Sequence, residues 1–225
     1  MKITAIILSA GSGKRMNADT KKQYIQINGK PIIWYTLRSF QNSDVDDIVL
    51  VTGYQDIEYC KEMVQESDFY KVTTIVAGGE ERYDSVYNGL LACDETDYVL
   101  IHDGARPAVD ADTIKKNIEK VVEKKACITA VPLKDTIKRV DDKGIVIDTP
   151  KRSEMWAIQT PQSFAYNIIL NAYNRMKEAE YSEATDDSMI VEKFGDTEVS
   201  IIEGKYTNIK VTTQEDLVLL KDILK

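Results

Sequence analysis

The run Ser9-Ala10-Gly11-Ser12-Gly13-Lys14-Arg15-Met16 is the first stretch whose residue types and spacing could do chemistry. Glycines let backbone N–H groups approach a phosphate closely, and neighbouring cations offset its charge. Two common phosphate loops are excluded. A Walker loop would need glycine at position 8 and Ser or Thr at 15, where the chain has Leu8 and Arg15; a dinucleotide loop would need a third glycine where Met16 stands. A tight strand-to-helix turn would also account for the glycines. Lys21-Lys22-Gln23-Tyr24, a few residues on, favours an anion cradle, because lysine point charges there join the planar fork of Arg15.

Other reactive chemistry is sparse. The single histidine is His102, and Cys60, Cys93 and Cys127 are scattered with no CxxC pair. A zinc cluster or disulfide framework is therefore not expected, and a reducing cytoplasm is the natural compartment. No nucleophile–base pair is visible. His102 reads as a structural hydrogen-bonding residue. Residues 115–125 mix Lys and Glu at helical spacing, as a solvated helix face does. Trp34-Tyr35 and the tyrosines of 166–173 read as core.

These residues need a scaffold. The chain has 225 residues, 43% of them hydrophobic, and a formal charge of −8. That predicts one globular domain over 1–225. The acidic balance argues against nucleic acid and anionic membranes as partners, while allowing a small anionic ligand in a local basic pocket. The early apolar run 3–8 is too short to span a bilayer and reads as a buried strand, with no targeting segment.

Short β-branched runs at 3–8, 47–52, 72–77, 98–102 and 127–131 alternate with helical patterns at 31–40, 56–66, 83–92 and 111–124. Continuous hydrophobicity of such strands predicts a doubly wound, mostly parallel α/β sheet buried on both faces. Ligands of these sheets sit at the carboxyl ends of the strands, here the loops after Leu8, Ala77 and His102. Beyond Val131 the pattern changes to strand, Asp141-Asp142-Lys143-Gly144 turn and strand, a hairpin arm over 132–151. Its own apolar alternation (Ile137, Ile145, Ile147) needs a surface to bury against. Helices resume at 165–178 and 186–194. Strands at 199–203 and 208–212 follow, then a terminal helix with Thr213 as cap and Asp216 in its first turn.

Further motifs stand at the expected loops. Gly78-Gly79-Glu80-Glu81-Arg82-Tyr83-Asp84-Ser85-Val86 follows the third strand and His102-Asp103-Gly104-Ala105-Arg106-Pro107 the fourth. Arg152 precedes Trp156-Ala157-Ile158-Gln159-Thr160-Pro161-Gln162, and Thr185-Asp186-Asp187 and Asn208-Ile209-Lys210 come later. Together with the glycine loop, in this order and over nearly the whole chain, the set resembles the 2-C-methyl-D-erythritol 4-phosphate cytidylyltransferase family of the non-mevalonate isoprenoid pathway.

The resemblance implies a nucleotidyltransferase-like fold in which the arm embraces a second subunit and sites are completed across a homodimer. It implies attack of the sugar-phosphate oxygen on the α-phosphorus of CTP, with Mg²⁺ arriving largely on the CTP phosphates and its protein ligands unspecified. Arg15 and Lys22 match the catalytic cations, which would stabilise charge building on the α-phosphate. Ala10, Gly11, Gly13, Gly78, Gly79 and Ser85 match the nucleotide-binding segments. Arg152, Lys210, Arg106, Thr136, Thr160 and Thr185 match groups that position the acceptor, while Asp103 could reach the metal, the ribose or the acceptor hydroxyls. Arg82 is as readily a first-turn residue as a ligand. Ser9 stands where relatives often have Ala. Two rivals share much of this pattern: a ribitol 5-phosphate cytidylyltransferase, and a non-catalytic nucleotide-binding regulator on the same fold.

Overall fold

The structure is a computed structural model and describes residues 1–11 and 21–224. Its centre is a seven-stranded sheet. Strand β1 (Ile3–Ser9) runs into the glycine loop. A short hairpin, β2 (Gln26–Ile27) and β3 (Lys30–Pro31), precedes helix α1 (Ile32–Gln41). Then come β4 (Asp47–Thr52), α2 (Ile57–Glu66), β5 (Val72–Ala77), α3 (Arg82–Leu91), β6 (Tyr98–Asp103), α4 (Ala111–Lys124) and β7 (Ala126–Pro132). The arm carries β8 (Arg139–Val140) and β9 (Val146–Asp148), and the chain ends with β10 (Trp156–Ala165), α5 (Tyr166–Glu178), α6 (Asp187–Phe194), β11 (Ser200–Glu203) and α7 (Gln214–Ile223).

The order across the sheet is β11-β7-β10-β6-β1-β4-β5. β1 pairs in parallel with both β4 and β6, so their carboxyl ends open side by side. Side chains of β1 alternate between two cores: Ile3, Ala5 and Ile7 pack with Ile33, Leu37 and Phe40 of α1, while Ile6 packs with Val86 and Leu90 of α3 and Ile169 of α5. Each fully buried isoleucine contributes about 2 kcal/mol, which explains the continuous apolar run. Helix α3 approaches the sheet at Gly89, where an added Cβ would lie 2.6 Å from Ile6 and 2.9 Å from Val51. That contact sets the helix's first turn, Arg82 to Ser85, over the carboxyl edge.

Besides the short β2–β3 hairpin, which the pattern did not reveal, the sequence reading differs from the structure in three places. β10 is a ten-residue strand, antiparallel to both β6 and β7, that the pattern did not reveal. Residues 208–212 form no strand; instead Val211 donates its N–H to the Ala105 carbonyl at 2.8 Å and packs with Ile27, Ile32 and Leu220. The arm hairpin is real but short, pairing Arg139 with Asp148 and Val140 with Val146. Thr213 and Asp216 form the expected cap of α7. Among the described residues, no helix is long and apolar enough to cross a membrane.

Candidate active site

Two clefts open at the carboxyl edge. The first, about 360 Å³, is lined by Ser9, Ala10 and Gly11 after β1, Lys22 and Gln23, Gly79 to Arg82, and Ser85. The second, about 280 Å³, is lined by Arg106, Ile158 to Thr160, Gln162, Thr185 and Asp186. Arg82, Asp103 and Lys210 line both and form the wall between them.

Close approach of backbone segments shapes the first cleft. At Gly78 an added Cβ would lie 2.4 Å from that of Ala10 and 2.7 Å from Ser85 Oγ, so only glycine lets these segments meet. Ser85 is buried, accepts the Gly79 N–H at 3.1 Å and donates to the Glu81 carbonyl at 3.2 Å. Gln23, also buried, donates its amide to the Ser9 and Gly11 carbonyls at 2.7 and 3.0 Å. It thereby fixes where the glycine loop leaves β1. Sequence reasoning assigned no role to Gln23, although it sits inside the Lys-Gln-Tyr signal. Tyr24 of the same triplet hydrogen-bonds Thr52 across 2.7 Å. Gly13 and Arg15 lie outside the described residues.

The wall is a charge cluster. Asp103 lies 2.8 Å from Lys210, 3.4 Å from Arg82 and 3.8 Å from Arg106. Burial alone would raise its carboxyl, but the charges of Arg82, Lys210 and Arg106 outweigh burial and hold it far below the usual carboxylate range. Arg82 is forked onto Asp187, with two bonds of 2.9 and 2.8 Å. Burial works against its charge, and the Asp187 and Asp103 carboxylates overcome it. Asp187 is wholly buried and also accepts the Tyr173 hydroxyl at 2.6 Å. Gln162 of β10 accepts the Asp187 and Ser188 N–H groups, both at 3.0 Å, and so caps α6 from the neighbouring sheet. Sequence reasoning left Arg82 undecided and gave Asp187 no role; the Thr185-Asp186-Asp187 run was the available signal.

The second cleft rests on buried polar contacts. Thr160 accepts the Asp103 N–H at 3.1 Å and meets His102 Nδ1 at 3.0 Å. His102 Nε2 faces the Arg106 carbonyl at 3.1 Å, which can only accept, so Nε2 carries the proton and Thr160 donates to Nδ1. Burial lowers the His102 pKa to about 4. The ring is therefore neutral at neutral pH and occupied on both nitrogens. Arg106 donates to the Asn208 carbonyl at 2.9 Å, and burial lowers its pKa. Asn208 in turn donates to Gln159 and to the Thr160 carbonyl. Thr185 is exposed at the rim. Arg152 and Thr136 are not brought to either cleft: both are exposed on or beside the arm, and Arg152 donates to the Lys134 carbonyl at 3.1 Å.

A site with one cleft beside a glycine turn, a wall carrying Arg82 and Lys210, and a second polar cleft suits the joining of two anions. A sequence model of the 2-C-methyl-D-erythritol 4-phosphate cytidylyltransferase family matches residues 3–225. The chain belongs to this family. An Alkaliphilus oremlandii protein of that name is 50% identical over 227 residues, covering 100% of this chain and 95% of the relative. One from Lachnoclostridium phytofermentans is 47% identical, covering 100% and 97%. A solved 4-diphosphocytidyl-2C-methyl-D-erythritol synthase from Anaerococcus prevotii superposes with a TM-score of 0.87 at 36% identity, covering 99% of this chain and 96% of that one. The chain is thus an enzyme, a nucleotidyltransferase on an α/β fold.

Proposed function

We propose how the two clefts divide the labour of the family's reaction. The chain transfers a cytidylyl group from CTP to 2-C-methyl-D-erythritol 4-phosphate, giving 4-diphosphocytidyl-2-C-methyl-D-erythritol and pyrophosphate. CTP occupies the first cleft. Its base sits against Ala10, Gly78, Gly79 and Ser85, where close backbone approach leaves room for a pyrimidine, and its phosphates lie along Gly11 and Gly13 with Arg15 and Lys22. The acceptor occupies the second cleft, among Lys210, Arg106, Thr160 and Thr185, with Asp103 orienting it from the shared wall.

An oxygen of the acceptor phosphate attacks the α-phosphorus, a new P–O bond forms, and the bond to pyrophosphate breaks with its electron pair leaving on pyrophosphate. The attacking oxygen is already anionic, so no general base is required. Lys22 and Arg15 act on charge that grows at the α-phosphate, a selective stabilisation of the transition state. Lys210 and Arg106 hold the second anion against the first, so that much of the entropic cost of the encounter is met on binding. Among the described residues, no cluster of three or more His, Cys, Asp or Glu side chains could hold a metal ion. Asp103, the carboxylate that lines both clefts, is the side chain that would help hold Mg²⁺ brought in on the CTP phosphates, and the ion would neutralise phosphate charge there.

The arm joins two subunits in this reading, a homodimer in which Arg152 and Thr136 complete the acceptor site of the neighbour. Support comes from Ile145 and Ile147, exposed at 63% and 56%, on an arm that leaves its own sheet. The unit is one domain over 1–225 with the arm, 132–151, inside it. The reducing cytoplasm is its proposed place, in keeping with three free cysteines.

The observation that carries the assignment is the wall of Arg82, Asp103 and Lys210 common to both clefts. The test is pyrophosphate release from CTP and Mg²⁺ with methylerythritol phosphate or ribitol 5-phosphate. Turnover with the former is expected. Turnover with ribitol phosphate alone would overturn the acceptor, and CTP binding without turnover on either would favour a regulator.

A further inference from the structure

The segment 204–210 carries Lys210 to the wall, and its neighbours hold it to the sheet. Gly204 donates to the Ala130 carbonyl at 2.8 Å, and the Lys205 carbonyl accepts the Gln159 amide at 3.0 Å. Lys205 pairs with Asp110 at the start of α4. Tyr206 does something different. Its hydroxyl donates 2.7 Å to the Pro132 carbonyl, the last residue of β7 before the arm departs. The Lys134 ammonium stands 3.5 Å above its ring, and the Lys134 carbonyl is the acceptor of Arg152. The ring is nearly half exposed, so its burial adds little to the core.

We propose that Tyr206 is a positioning residue for the acceptor: it sets the root of the arm, and through Lys134 the Arg152 guanidinium, against the segment that bears Lys210. The inference rests on the reading above, in which Arg152 reaches the acceptor in the partner's cleft. A hydrogen bond and a cation over an aromatic face on one side chain fix both the height and the rotation of the arm root. Two contacts on one ring are more than a surface tyrosine needs. They meet the two residues flanking Leu133, where the strand ladder ends with Leu133 bonded to Met155.

The test compares Tyr206→Ala and Tyr206→Phe with the unmodified enzyme, measuring kcat and KM for each substrate, the unfolding temperature and the sedimentation coefficient. Tyr206→Ala should lower kcat/KM for methylerythritol phosphate about tenfold, as expected when a remote residue misplaces a binding group. KM for CTP should stay within about twofold. Tyr206→Phe keeps the ring under Lys134 and should recover part of the loss. Unchanged acceptor kinetics in a dimer would overturn the role of Tyr206 alone. So would an equal fall for both substrates with a lowered unfolding temperature, the mark of a merely structural residue. An unmodified enzyme that sediments as a monomer would overturn the dimer reading and this inference with it.

Discussion

Asp187 lies wholly buried with Arg82 forked onto both its oxygens, whereas Ile145 and Ile147 on the arm are 63% and 56% exposed. The wall between the clefts is answered from within the chain. Arg82, Lys210 and Arg106 surround Asp103, and Tyr173 and Gln162 complete Asp187. The arm has two paired positions in its hairpin and an apolar row facing outward. The contrast separates two jobs. The charge cluster of the wall is preorganised by one fold, where charges act more strongly than in water. The last acceptor contacts, in our reading, are left to assembly.

Breaking the wall should have the largest effect. Asp187→Ala leaves Arg82, part-exposed in the clefts and still 3.4 Å from Asp103, without its main counter-charge and strips the buried Tyr173 hydroxyl of its acceptor, which together should cost about 2–4 kcal/mol. Urea unfolding should show a loss of that order. A loss under about 1 kcal/mol would mean that the pair is solvated in solution and that the wall resembles the arm after all.

Acid tests the wall through its neighbour. Unfolded, His102 protonates near 6.5; folded, burial holds it neutral down to about 4. Between those values the unfolded chain binds more protons, so stability is fully present above about 6.5 and is lost as pH falls toward about 4, by about 3 kcal/mol. The depressed Asp103 carboxyl acts lower, below its ordinary range of about 4. His102→Gln should flatten the upper window and leave the lower one. A stability curve with no slope between pH 6.5 and 4 in the unmodified protein would refute the buried neutral ring.

The arm should respond in the opposite way. Ile145→Asp combined with Ile147→Asp should weaken self-association roughly tenfold or more, since each isoleucine would otherwise bury its exposed area at an interface. Acceptor kcat/KM should fall with it. Intrinsic stability of the separated chain should hold within about 0.5 kcal/mol, as for other surface changes. Analytical ultracentrifugation over a concentration series, with unfolding on the same samples, makes the comparison; a large stability loss with unaltered association would reverse the assignment.

Much of this was legible because the parallel half of the sheet obeys local rules. Apolar runs such as 47–52 are buried on both faces, and the loops that follow β1, β5 and β6 must carry the site. β10 was not legible. Most of its buried side chains are polar, with Ser163 bonded to Asn117 and Gln162 to Asp186, and Pro161 interrupts it where the register shifts between Ile158 and Gln162. Its partners are far away in sequence, and a proline within a run argues against a strand. Residues 208–212 mislead the other way, since Ile209 and Val211 are β-branched but pack into the cluster of Ile27, Ile32 and Leu220 without forming a strand. Pairings such as Arg82 with Asp187, 105 residues apart, follow from topology and not from local pattern. Arg15 and Gly13 fall outside the described residues; Ala10, Gly11, Lys22 and Gln23 line the first cleft.

The most direct test of the account is steady-state kinetics of Lys22→Ala with CTP, Mg²⁺ and methylerythritol phosphate. Stabilisation of charge at the α-phosphate predicts a fall in kcat of about 10²–10³ with a smaller change in KM for CTP. An unchanged kcat with a raised KM for CTP would show that Lys22 only binds the nucleotide, and would contradict the mechanism.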